Sequence, residues 1–249
     1  MRVELVFTRE AIAKFDLEGA AVAVVDCLRA TTTIAAALAA GAAAILPVAT
    51  EAEARVLAAR SGSLLAGECH CLPPEGFDVG NSPASFTTAL VAGREIVLWT
   101  TNGSKALAAA TGRAASVVAF ALVNAAAVAR HLGRQRPSRL VILCAGTEGR
   151  FSLEDTYAAG ALVARLQAWT PLACDESATA ALLTYQAAAD RPLQVLSGTG
   201  AAARLHAAGL LDDVRFAARP DVLNSVPGWR DGRLIDAATA SAPAAASAR

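Results

Sequence analysis

The chain has 249 residues, 55% hydrophobic and 18% charged, with Lys+Arg and Asp+Glu each totalling 22. That is enough apolar material for one large core or two small ones, and the charge balance supplies neither a basic face for nucleic acid nor an acidic solvating tail. Five scattered cysteines, an odd number in a long chain, argue against a disulfide framework.

The opening MRVELVF passes from one charge straight into alternating apolar residues, so no secretion signal is expected. Val3–Phe7 reads as a strand, followed by an exposed stretch to Gly19. Ala21–Val25 is a second strand, ending in Asp26, and Thr32–Ala40 a helix stopped by Gly41 as a left-handed cap. Ala30–Thr50 is an uncharged run long enough to cross a bilayer. A helix, a glycine stop and a buried strand at Ala43–Val48 explain it better, and the expectation is a cytoplasmic protein that meets no membrane. Thr50 caps a helix over Glu51–Arg60, with Glu53 at the capping-box position.

Ser63–Ala66 is a short strand running into the longest irregular stretch, Gly67–Pro83. A loop of that length in a compact domain is usually functional or disordered, and its aromatic and acidic residues argue against disorder. Ser82 is expected to cap a helix with Pro83 at its first position. Glu95–Trp99 is a strand, Thr100–Lys105 turns into a helix over Ala106–Thr111, and Ser116–Phe120 is a strand. Asn124–Leu132 is a helix capped by Gly133, Arg139–Cys144 a strand, and Ser152 begins a helix to about Trp169. Past Pro171 the pattern is helical over Glu176–Ala188 and Ala201–Ala208, with a short strand at Asp213–Phe216.

The alternation predicts an α/β fold, layered α/β/α with a mainly parallel or mixed sheet and a more helical C-terminal part. Residues 1–236 form one unit, or two tightly packed lobes divided near residue 170. Residues 237–249 read as a disordered Ala/Ser tail. The apolar composition also makes a homodimer an expectation.

Three strand–loop–helix junctions carry polar residues at the carboxyl ends of strands, and in a parallel sheet these ends share one edge. The first joins Asp26, Arg29 and the hydroxyls of Thr31, Thr32 and Thr33 at a helix start, which suits an oxyanion beside a hard cation. The second, Thr101-Asn102-Gly103-Ser104, can cradle an anion through successive N–H groups, although it lacks the nucleotidase P-loop spacing. The third, Cys144–Ser152, contains the C-x5-R spacing of cysteine-dependent phosphatases, ending at Arg150. Against this stands a buried strand-end thiol, and the chain is rich enough in arginine for the spacing to arise by chance. Several acids border these loops, Glu148 and Glu154 among them. Asp26, Glu68 and Asp155 are the first choices for a Mg2+ site because the first two end predicted strands and the third opens a helix. Cys69-His70-Cys71 looks like half a metal site without a second half.

VVDCLRATTTI (Val24–Ile34), GFDVGNSP (Gly76–Pro83), TTNGSKAL (Thr100–Leu107) and CAGTEGRFSLED (Cys144–Asp155), in this order, resemble the 2-phosphosulfolactate phosphatase family, with weaker echoes to Val226–Trp229. The resemblance implies a Mg2+-dependent hydrolase that removes phosphate from 2-phospho-3-sulfolactate, a step towards coenzyme M in methanogens. On this reading Asp26, with Glu68 or Asp155, holds the metal. Arg29, Thr31–Thr33, Asn81, Ser82 and Thr101–Ser104 hold phosphate and carboxylate oxygens of a small anionic phosphoester. The attacking group is water or Cys144, with water favoured. Two positions depart from the family pattern: Glu68 is followed by Cys69-His70-Cys71 where members carry a basic residue and glycines, and Thr199 precedes Gly200 where a histidine is usual. The alternatives are a phosphatase of another phosphorylated acid and a non-catalytic anion-binding protein.

Overall fold

The computed structural model describes residues 1–240. In chain order the elements are β1 (Arg2–Val6), a 3-10 segment (Arg9–Lys14), β2 (Ala21–Val25), α1 (Ala30–Ala39), β3 (Ala44–Val48), α2 (Glu51–Ser61), β4 (Leu64–Gly67), a 3-10 turn (Pro83–Ser85), α3 (Thr88–Val91) and β5 (Glu95–Trp99). They continue with α4 (Gly103–Ala110), β6 (Ser116–Phe120), a 3-10 turn (Leu122–Asn124), α5 (Ala125–Gln135), β7 (Arg139–Cys144), α6 (Leu153–Leu166), β8 (Ala173–Cys174), α7 (Glu176–Gln186), α8 (Pro192–Ser197), α9 (Gly200–Ala207) and α10 (Leu211–Ala217). The described chain closes with β9 (Pro227–Arg230), β10 (Arg233–Asp236) and α11 (Ala237–Ala240).

The ten strands of the described residues join one sheet in the order β4-β5-β3-β10-β9-β6-β2-β7-β1-β8. The expected mainly parallel sheet is present, with helices on both faces. Strand β2 is apolar and buried at every position, as a strand covered on both sides should be. One apolar cluster packs β2, β6 and β7 against α5, α6 and α7, and a second lies on the other face against α1 and α4. No helix among the described residues is long and apolar enough to cross a membrane.

The sequence reading missed the hairpin β9–β10, which enters antiparallel between β3 and β6 and joins two parallel blocks. Its turn is Asp231-Gly232, both at positive φ (49° and 83°), the combination a two-residue hairpin needs. Pro227 is tolerated because it opens its strand. The short strand β8 and helix α8 were also unforeseen.

Other boundaries differ for identifiable reasons. Asp213–Phe216 is helical within α10, not a strand; a four-residue run is too short for periodicity to separate the two. Gly133 does not stop α5, which continues to Gln135 and ends at left-handed Arg136. Its missing side chain serves packing instead, because a Cβ there would lie 2.6 Å from the Trp169 side chain. Ser82 precedes a 3-10 turn led by Pro83, but its hydroxyl caps nothing there. Helix α4 starts three residues early, at Gly103. Of the expected disordered tail, Ala237–Ala240 is helical and residues 241–249 lie outside the described residues.

Helix α6 crosses α7 at Gly160, where an added Cβ would come 2.0 Å from the Ala181 carbonyl oxygen. Two backbones cannot yield as a flexible side chain can. Gly160→Ala should therefore destabilise the protein by about 3 kcal/mol, overriding the helix-propensity gain of about 1 kcal/mol. An unchanged or raised urea midpoint would show that the helices separate at little cost.

Candidate active site

The carboxyl ends of β2, β4, β5 and β7 open on one edge and line a cavity of about 400 Å³, closed from the far side by α9. Of the residues expected at the site, Asp26, Arg29, Glu68, Asn81, Thr101 and Asn102 line it; His70, Cys71, Thr147, Glu148 and Arg204 join them.

Asp26 leaves β2 at the floor of this cavity. Its backbone N–H donates to Thr31 Oγ1 (3.0 Å), and that hydroxyl donates back to the Asp26 carbonyl (2.9 Å). Gly103 lets the start of α4 press against it: a Cβ at that position would sit 2.7 Å from Asp26 Oδ2 and 2.4 Å from the Ala30 Cβ. Burial first, then the charges of Glu68 and Glu154, push the Asp26 carboxyl from its ordinary 3.8 up to about 7. Glu68 is held by two backbone donors, Thr101 N–H on Oε1 (2.8 Å) and Cys71 N–H on Oε2 (3.0 Å).

Asp155 does not line the cavity. Its two oxygens accept from Cys27 N–H (2.8 Å) and Gly146 N–H (3.1 Å), stapling the end of β2 to the end of β7. Burial and the neighbouring Asp26 and Glu154 push its carboxyl well above the usual range, and burial likewise raises Glu154. Three acids held in one buried region, each destabilised as an anion, form an excess of negative charge that a cation would offset. Asn81 adds a second sign: its Oδ1 is buried at the cavity with no hydrogen-bond partner among the described residues, an arrangement that costs energy unless a ligand completes it. Among the described residues no three acidic, histidine or cysteine side chains form a metal-holding group. A hard cation here would rest on one or two carboxylates, an amide oxygen, water and substrate oxygens, the donor set Mg2+ accepts.

The three threonines are not ligand groups in this conformation. All are buried, none lines the cavity, and their hydroxyls donate to the carbonyls of Asp26, Cys27 and Asn81. They brace the loop that presents Asp26. Ser104 is likewise locked to Thr100, each hydroxyl accepting from the other's backbone N–H, and Gly103 contributes space, not a contact to the cavity.

Arg29 lines the site with its charge already balanced. Nη1 donates to Asp213 Oδ2 (2.7 Å) and Nη2 to the Cys71 carbonyl (2.8 Å), the guanidinium being almost fully buried. Ser82 Oγ donates to the other Asp213 oxygen (2.5 Å) instead of reaching the cavity. Asp213 thus clamps α10 to two active-site loops.

Cys144 is fully buried under α6 and absent from the cavity wall. Burial, then Asp155, pushes its thiol well above the ordinary value, opposite to what a thiolate nucleophile needs. Arg150 lines a neighbouring cavity, so the C-x5-R spacing does not assemble a thiolate site.

Arg204 and Asp213 were missed. Arg204 lies in an alanine-rich helix without a motif, and Asp213 is meaningful only through its partner 184 residues earlier.

Comparison with known proteins follows the same lines. Curated relatives named probable 2-phosphosulfolactate phosphatase include one from Deinococcus radiodurans, 42% identical over 205 residues (82% of this chain, 85% of the relative). One from Thermus thermophilus is 42% identical over 216 residues, covering 87% and 90%. One from Carboxydothermus hydrogenoformans is 36% identical over 239 residues, covering 94% and 97%. The family described as 2-phosphosulpholactate phosphatase matches residues 6–232, a span that contains every cavity-lining residue described above. With its carboxylate-lined cavity at the sheet edge and relatives of this kind along nearly its whole length, the chain belongs to the 2-phosphosulpholactate phosphatase family of phosphoric monoester hydrolases.

Proposed function

We propose that this cavity hydrolyses the phosphate ester of 2-phospho-3-sulfolactate, releasing 3-sulfolactate and phosphate, with Mg2+ as the cofactor. The observation that carries the metal assignment is the buried acid group around Asp26 beside the orphaned Asn81 Oδ1. Asp26, Glu68 and Asn81 would hold the ion. When bound, Mg2+ supplies positive charge to phosphate oxygens as negative charge shifts during transfer. Thr101 and Asn102, on the cavity wall, orient the phosphate. Glu68 stays fixed by its two backbone donors, and Asp155 keeps the ends of β2 and β7 together. Water attacks phosphorus, because Cys144 has no access to it.

The reading extends to a cytoplasmic enzyme in a route of the coenzyme M type, acting on a small phosphoester and not on nucleic acid. A homodimer belongs to it as well, supported by exposed Leu183 and Leu193 on α7 and α8; sedimentation at low micromolar concentration showing only monomer would remove it.

The test is phosphate release from racemic 2-phospho-3-sulfolactate, phospholactate and p-nitrophenyl phosphate, each with Mg2+ and with EDTA. Release should favour the sulfonate and vanish with chelator. Cys144→Ser should keep activity within about twofold, whereas a loss of 10²-fold or more would restore the thiol as nucleophile. Preferential release from phospholactate would move the assignment to another phosphorylated acid. His70 and Cys71, both at positive φ (50° and 74°) on the cavity wall, are then the first residues to examine.

A further inference from the structure

The cavity carries two arginines in very different states. Arg29 is neutralised by Asp213 and almost fully buried. Arg204, on α9, is exposed and its side chain makes no hydrogen bond or ion pair with the described residues. It stands where the main cavity meets a second of about 360 Å³; the two share Thr147, Glu148, Ala201 and Arg204. Its side chain folds back over the start of its own helix, Nη1 lying 3.7 Å from where a Gly200 Cβ would be. Its charge is felt on both sides, drawing the Cys71 thiol and the Glu154 carboxyl down against their burial.

A substrate of the proposed class carries a phosphate and two further acidic groups. The acids on the cavity floor attract a cation and repel every anion that the cation does not cover. An unpaired guanidinium on the α9 wall of the cavity, with a planar fork suited to carboxylate or sulfonate oxygens, meets the remaining need. We propose that Arg204 binds the non-phosphate oxyanion of the substrate and thereby selects phosphorylated acids over simple phosphate esters. This rests on the phosphatase reading of the same cavity. Arg204 takes no part in the bond breaking; it fixes where the rest of the molecule lies while the phosphate sits at the floor.

The decisive comparison is Arg204→Gln and Arg204→Lys against the unaltered enzyme. The ratio of kcat/KM for 2-phospho-3-sulfolactate to that for p-nitrophenyl phosphate should fall by roughly ten- to a hundredfold in Arg204→Gln, mostly through KM. Arg204→Lys should recover part of the loss. Phospholactate separates the two anions: an equal fall in its kcat/KM assigns Arg204 to the carboxylate, and a fall confined to the sulfonated substrate assigns it to the sulfonate. A parallel loss on p-nitrophenyl phosphate, or no change in the ratio, overturns the proposal. Calorimetric titration with 3-sulfolactate alone keeps it testable without turnover. Binding weakened by the same factor in Arg204→Gln supports it; equal binding by both proteins, or binding by neither, overturns it. Absence of phosphate release by the unaltered enzyme while Arg204-dependent sulfolactate binding persists would instead reject the phosphatase reading alone.

Discussion

Asp26→Asn is expected to lose phosphate-release activity by roughly 10²- to 10³-fold while becoming more stable. The two effects share a cause. The folded chain holds the Asp26 carboxyl among Glu68 and Glu154 with little solvent, lifting it from 3.8 to about 7. Between these values the folded protein keeps a proton that the unfolded chain has released. Stability attributable to this group is therefore greatest below about pH 4, declines as pH rises to about 7, and stays low above it. Asparagine removes the ionisation and still offers an acceptor for the Ala30 N–H. Its advantage without metal should be on the order of 2–4 kcal/mol at pH 8 and shrink towards zero at pH 4. Urea titrations of both proteins in EDTA at the two pH values give the difference directly. A variant less stable at pH 8, or one retaining a tenth of the activity, would remove Asp26 from the role assigned here.

The second large effect concerns Arg29 and Asp213. Removing one partner of a buried pair leaves the other charged and without its counterion, and Arg29→Met should cost about 3–5 kcal/mol. In a chain of this length that corresponds to a Tm lowered by roughly 6–20 °C. Arg29→Met/Asp213→Leu should recover most of the loss, because the pair itself contributes little beyond satisfying its own burial. Activity should fall in both, since the same guanidinium holds the Cys71 carbonyl and hence the loop that carries Glu68. A double variant no more stable than Arg29→Met would mean that Ser82 and the Cys71 carbonyl, not charge balance, dominate this joint.

Local pattern accounts for what the sequence made legible. Ala21–Val25 and Arg139–Cys144 read as buried strands because apolar residues filled them almost without interruption. The polar junctions after Val25 and Trp99 marked the cavity edge because parallel strands bring their carboxyl ends together. What stayed hidden depended on distant partners or on a turn's exact course. The Thr31–Thr33 hydroxyls could equally face a ligand or the chain, and only the fold turns them onto carbonyls, two of them local and one, that of Asn81, far along the chain. Cys144 sits at a strand end like Asp26, yet α6 covers it. Pro227–Asp236 mixes proline, glycine and charge in strands of four residues, so no two-residue alternation announces a hairpin.

That hairpin has a consequence for how the chain is made. Each of its outer edges meets a parallel block through a single registered pair, Leu234 with Ile45 and Gly228 with Val118. The blocks are synthesised first and gain their common seam only when residues near 234 appear. At the usual pace of translation, Ile45 waits roughly 10–40 s for its partner. During that interval the nascent chain presents two unpaired strand edges, β3 and β6, each a template for the wrong neighbour. A chain cut before Pro227 should therefore accumulate as aggregate instead of as a smaller enzyme.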